Sequence, residues 1–160
     1  MYKNKNVLIT GASSGLGKIL AINYAKQGAK IINLSRNIQK IDSLNYKLNK
    51  LNNIENIGFN IDVSKYEQVN SVKNNLLKDK CLPDIIINNA AGNFLCPFEK
   101  LSVNGWKRIN DIVLNGAFNI YHNFGKTFIE QEKQAVFLNI STTYSENSSA
   151  LVIPSAAAKA

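Results

Sequence analysis

Two rhythms of apolar residues alternate along the chain. Short runs that are apolar at nearly every position, NVLIT at 6–10, KIINLS at 30–35, NIGFNID at 56–62, DIIINNA at 84–90 and AVFLNIS at 135–141, are rich in residues that favour strands. Between them the apolar residues recur every three or four positions. GLGKILAINYAKQG at 15–28, NIQKIDSLNYKLNKL at 37–51, SKYEQVNSVKNNLLKD at 64–79 and a stretch within 102–131 therefore predict amphipathic helices. Strands apolar on both faces, separated by such helices, imply a parallel sheet covered on both sides. The predicted fold class is α/β, a doubly wound parallel sheet in strand order 3-2-1-4-5. No linker, repeat or shift of composition divides residues 1–160, so one domain is expected. Pro154 suits a first helical turn and SAAAKA favours helix, yet no sixth or seventh strand follows. The expectation is a domain incomplete at its C-terminal side, with the fifth strand as an open edge.

Composition narrows the class without altering the fold. The 160 residues are 45% hydrophobic, enough for a sizeable core. No apolar run reaches the roughly 18 to 20 residues that cross a bilayer, and the start lacks the apolar segment of a leader peptide; the expectation is a cytoplasmic protein without a membrane partner. The net charge of +8 comes from scattered lysines, with guanidinium groups at Arg36 and Arg108 alone. No basic stripe is interleaved with aromatic residues, so a nucleic-acid partner is not expected, although the surplus favours a phosphate-bearing substrate. Cys81 and Cys96 lack ligand spacing, and His122 has no carboxylate or cysteine cluster beside it, so no metal site is expected. Trp106, Phe118, Phe124 and Phe128 recur at near-helical spacing, as residues of a core or subunit contact do.

The candidate chemistry begins in TGASSGLG. Gly11, Gly15 and Gly17, with Ser13, Ser14 and Leu16 between them, lie where the first strand turns into the first helix. Glycines there let the main chain approach a pyrophosphate and leave the helix N-terminus facing its charge, so a dinucleotide site is expected. At the end of the second strand stand Ser35 and Arg36 where a carboxylate would select NAD. A guanidinium there suits the 2′-phosphate of NADP(H), the expected cofactor; the plain alternative is a solvated surface arginine.

The spacing T-G-x-x-x-G-x-G at 10–17, together with NNAAG at 88–92, resembles the short-chain dehydrogenase/reductase family, whose nucleotide domain is a Rossmann fold. The resemblance implies that Asp62 and Val63 flank the adenine and that Asn89, Ala90, Ala91 and Gly92 border the cofactor. It also implies that Lys159 and Asn115 are catalytic, and that Thr142 takes the serine position. Where the family has its proton-donating tyrosine, this chain has Ser155, too short to reach where a phenol would. Tyr144, directly after the fifth strand, and Asn93, directly after NNAAG, could bracket one substrate oxygen instead. In this the chain looks like the 2,4-dienoyl-CoA reductases, and the likeness implies that Tyr144 and Asn93 do the chemistry while Lys159 and Ser155 hold cofactor and site. It further implies NADPH-dependent reduction of an acyl-CoA thioester to a 3-enoyl-CoA in β-oxidation of unsaturated fatty acids, and a homo-oligomer at full length. Two alternatives stay open: an enoyl or 3-oxoacyl thioester reductase, and a nucleotide-binding protein without catalysis.

Overall fold

Strand β1 (Asn6–Thr10) occupies the middle of the molecule because both its faces are apolar: Val7 and Ile9 enter one core, Leu8 the other, and all three are fully buried. The computed structural model, which describes residues 1–147 and 150–160, pairs β1 with β2 (Lys30–Ser35) and β4 (Ile85–Asn88). Strands β3 (Ile57–Asn60) and β5 (Val136–Asn139) flank these, giving a parallel sheet ordered β3-β2-β1-β4-β5, the order the apolar pattern predicts. Helices α1 (Gly15–Lys26) and α2 (Ile38–Asn52) cover one face through Ala21, Ala25, Leu44 and Leu48. On the other face α3 (Tyr66–Lys78) supplies Val69, Val72 and Leu76, and α5 (Gly116–Glu130) supplies Ile120, Phe124 and Phe128. The chain winds outward from β1 in one direction and from β4 in the other. Loops leaving these two strands therefore part at the C-terminal edge of the sheet and open a crevice.

The opposite edge is closed by one carboxylate. Asp84 accepts from the Asn6 backbone N–H at 2.8 Å and from Lys133 Nζ at 3.2 Å, with Lys5 Nζ at 3.7 Å, which ties the starts of β1, β4 and β5 together. At the outer side, β5 leaves Val136 and Leu138 largely exposed.

The predicted helix within 102–131 is not continuous. It divides into α4 (Val103–Asn110), one π-helical turn at Asp111–Asn115, and α5. The Gly116 N–H bonds to the Asp111 carbonyl, five residues back, and the Asn115 side chain donates to Asp111 Oδ1 at 2.9 Å across the same turn. The wider turn lets α5 settle on the loop after β3. A Cβ on Gly116 would lie 2.8 Å from Val63 Cγ2, and Asn119 Nδ2 donates to the Val63 carbonyl at 2.9 Å. The last helix, α6 (Ile153–Lys159), has Pro154 in its first turn as expected, and packs Ala158 against Ile109, Ile112 and Val113.

Gly58 of β3 has no room for a methyl group: a Cβ would overlap Ile41 Cγ2 and Asn45 Nδ2 of α2. Gly58→Ala is expected to cost about 1–3 kcal/mol in urea unfolding. Gly125→Ala, in open space within α5, is expected to raise stability by up to about 1 kcal/mol in the same measurement.

Candidate active site

The crevice is organised by a clamp between the ends of β1 and β4. The buried Thr10 hydroxyl accepts from the backbone N–H groups of Asn89 at 3.0 Å and Ala90 at 2.8 Å. In return the Asn89 amide donates to the Thr10 carbonyl at 2.9 Å and to that of Gly11 at 3.4 Å. Gly11 leaves the strand at φ 67° and Gly15 continues at φ 51°, a region costly for residues with a Cβ. At Gly17 a Cβ would stand 2.5 Å from both Asn89 Nδ2 and the Gly11 carbonyl oxygen, so the start of α1 presses directly on the clamp. Ser14 stands at the N-cap position of α1 in extended conformation, but its side chain makes no capping hydrogen bond, and no acidic residue lies in the first turn. The first-turn N–H groups have no carbonyl within their own helix, and they carry its positive end.

Around this clamp most of the expected cofactor residues meet. Gly11, Ser13 and Ser14 from the first loop, Ser35 and Arg36 after β2, Asp62 and Val63 after β3, and Asn89, Ala90 and Ala91 after β4 line one cleft of about 350 Å³. Gly15, Leu16, Gly17 and Gly92 lie outside its walls: Gly15 and Gly17 shape the loop, Leu16 is half-exposed, and Gly92 abuts Ile109 and Ile112. Burial alone would raise the Asp62 carboxyl. The Ser64 hydroxyl and N–H, at 2.7 and 3.0 Å, and then the Arg108 guanidinium at 3.3 Å hold it below its ordinary 3.8. Thr10 and Arg108 were not foreseen as site residues. Thr10 could have been inferred from its place opposite Asn89 at the strand ends, but nothing local in the sequence joins Arg108 to a carboxylate 46 positions away. The cleft fits a dinucleotide: an uncapped helix start for the pyrophosphate, close-packed glycines beneath it, and a cation at the β2 end.

The residues expected to react are less gathered. Lys159 donates to the Ile140 carbonyl at 2.8 Å beside a second cavity of about 320 Å³, which Thr10, Ala90 and Ser141 also line. Burial lowers the pKa of its ammonium group. Asn115 is exposed and turned to Asp111, and Ser155 is buried in the first turn of α6; neither side chain lines that cavity. Thr142 opens a 3-10 turn at Thr143–Ser145, where its carbonyl accepts from the Ser145 hydroxyl at 2.5 Å. Tyr144, within that turn, is 48% exposed and lies in a neighbouring hollow with Ile153, Ala156 and Ala157 of α6; the two spaces share Ala160. Asn93 is exposed, and its Oδ1 accepts from the Phe94 N–H at 2.9 Å, while its amide NH₂ has no hydrogen-bond partner among the described residues. A main-chain bond from Cys96 N–H to the Leu151 carbonyl at 2.9 Å fastens the loop that bears Asn93 to the segment after Tyr144.

Of the other residues expected to be structural, His122 Nδ1 lies 3.0 Å from the Tyr66 hydroxyl, bridging α5 and α3, and Phe124 and Phe128 are core. Trp106 is exposed, and Phe118, also exposed, lines the cavity beside Lys159. Among the described residues no group of His, Cys, Asp or Glu is arranged to hold a metal ion, and no helix is long and apolar enough to cross a membrane.

Residues 5–160 match the family described as short chain dehydrogenase. A Bacillus subtilis protein named as a probable 2,4-dienoyl-CoA reductase, (2E)-enoyl-CoA-producing, is 37% identical over 99% of this chain and 62% of its own length. A Caenorhabditis elegans protein named as a probable 2,4-dienoyl-CoA reductase, (3E)-enoyl-CoA-producing, is 32% identical over 99% of this chain and 52% of its own. The chain thus spans between half and two-thirds of the length of these curated relatives. A crystal structure of a short chain dehydrogenase from Bacillus anthracis superposes with a TM-score of 0.93 at 37% identity, over 99% of this chain and 64% of that one.

Thr10→Val keeps the side-chain shape but leaves two backbone N–H groups without their acceptor. The expected result is a loss of about 1–3 kcal/mol in denaturant unfolding, with weaker dinucleotide binding by calorimetry. Asp62, with its folded pKa below 3.8, stabilises the fold above that pH and loses the contribution as pH falls through the folded value. Asp62→Asn is therefore expected to be less stable than the native chain near neutral pH, and the gap should close in unfolding curves taken progressively below pH 3.8.

Proposed function

The chain belongs to the short chain dehydrogenase family, and from that premise we propose that the protein is an NADPH-dependent reductase of 2,4-dienoyl-CoA thioesters that yields a 3-enoyl-CoA. One observation carries the reading. Helix α6 buries a serine at the turn before its lysine, while Tyr144 presents a half-exposed phenol on the connection from β5, which a main-chain bond fastens to the loop bearing Asn93. The names of the Bacillus subtilis and Caenorhabditis elegans relatives support the same substrate class.

NADPH, when bound, supplies a hydride, which a conjugated dienoyl thioester accepts at its δ-carbon. Negative charge then builds on the thioester oxygen, several bonds away, so the groups that stabilise it must stand apart from the hydride. Tyr144 Oη–H and the Asn93 NH₂ donate to that oxygen as an oxyanion hole, each donor worth about 3–4 kcal/mol. Water protonates the α-carbon, the remaining double bond settles between the β- and γ-carbons, and the count of one hydride and one proton closes. Lys159, fixed at the Ile140 carbonyl, keeps its cation at the sheet edge for the nicotinamide ribose. Ser35 and Arg36 receive the 2′-phosphate. The reaction belongs to β-oxidation of unsaturated fatty acids in the cytoplasm, carried out by an assembly of identical subunits.

Full-length protein is expected to oxidise NADPH with a 2,4-dienoyl-CoA and to ignore 3-oxoacyl-CoA. Tyr144→Phe and Asn93→Ala should each lower kcat by about 10²–10³-fold with NADPH affinity unchanged. The reverse substrate preference would falsify the dienoyl reading, and tight NADPH binding without turnover of any thioester would identify a nucleotide-binding protein. Proton NMR of the product reads the double-bond position, on which the two relatives' names differ.

A further inference from the structure

The β2 end of the cleft holds more than Arg36. Ser13 and Ser35 lie with their hydroxyl oxygens 2.6 Å apart, a hydrogen bond that fastens the glycine loop to the end of β2. Asn37 then caps α2, its Oδ1 accepting from the Lys40 backbone N–H at 2.9 Å. The cap sets the first turn of the 15-residue helix, and Lys40 from that turn lines the same cleft as Arg36. Neither cation meets a carboxylate within ion-pair distance among the described residues, and the first turn of α2 contains no acidic residue. Asp62, the acidic residue that lines the cleft, is committed to Arg108 and Ser64.

A phosphate monoester carries about −1.5 to −2 charge near neutral pH, so one guanidinium leaves it under-neutralised. Two uncommitted cations beside a pair of hydroxyls supply the balance. We propose that Lys40 is a second cation for the 2′-phosphate, with the Ser13 and Ser35 hydroxyls as neutral donors, and that Lys40 helps set the preference for NADP over NAD. This rests on the NADPH reading above and extends it to a residue outside the strand-end position. Because the cap uses the Lys40 backbone, changing its exposed side chain leaves the helix start intact.

The test compares adenosine 2′,5′-bisphosphate with adenosine 5′-monophosphate by calorimetry, which reads the subsite without turnover. Native protein is expected to favour the bisphosphate. Lys40→Gln should cut that preference by about tenfold, Lys40→Glu by more, and Lys40→Arg should retain it, with 5′-monophosphate affinity constant throughout. Thermal melts should show all three variants folded. Bisphosphate affinity in Lys40→Glu within about twofold of native, while Arg36→Ala abolishes the preference, overturns the role of Lys40 and leaves the NADPH reading standing. Native protein with no preference between the two ligands overturns both.

Discussion

The site depends on where the Thr10 hydroxyl points. A valine in its place would fill the same space, but only an oxygen can accept from the two part-buried N–H groups of Asn89 and Ala90, which otherwise emerge from β4 without a protein partner. That oxygen, with the reciprocal amide of Asn89, joins the exits of the two central strands. The glycine loop is then laid across the joint, and α1 presses down on it through Gly17. The crevice is thus a by-product of opposite winding from β1 and β4, made rigid by four polar contacts at the point of divergence.

A second constraint reaches the site from α5. The loop after β3 is held from two sides: Arg108 of α4 grips Asp62, and Gly116 and Asn119 of α5 grip Val63. The π-helical turn lies between these two contacts and inserts one residue relative to a regular α-helix. Asn115 lies in that turn, where its side chain donates to Asp111.

Much of this was legible in the sequence. The strand order and helix faces follow from apolar periodicity, which reports burial directly, and the glycine spacing marks the loop because backbone geometry at Gly11 and Gly15 demands it. Pro154, which acts by local geometry in opening α6, is readable for the same reason. Contacts between distant segments left no such trace. The Arg108–Asp62 pair and the π turn arise only once helices settle on the sheet, so the stretch 102–131 reads as one helix by its period alone. The side chains proposed to react are candidates by residue type and place in the chain alone, and their direction is not readable, since periodicity says nothing of where Tyr144 or Ser155 points on a short turn.

The bond between Cys96 and Leu151 involves no side-chain atom at all. Its partners are the same peptide groups that almost any amino acid would bring, proline at position 96 being the exception. The two segments can therefore drift in sequence, exchanging aromatic for aliphatic or large for small, while their mutual alignment persists. Such a join makes the rim of the crevice a place where selection can retool preference for one molecule over another without first rebuilding the frame.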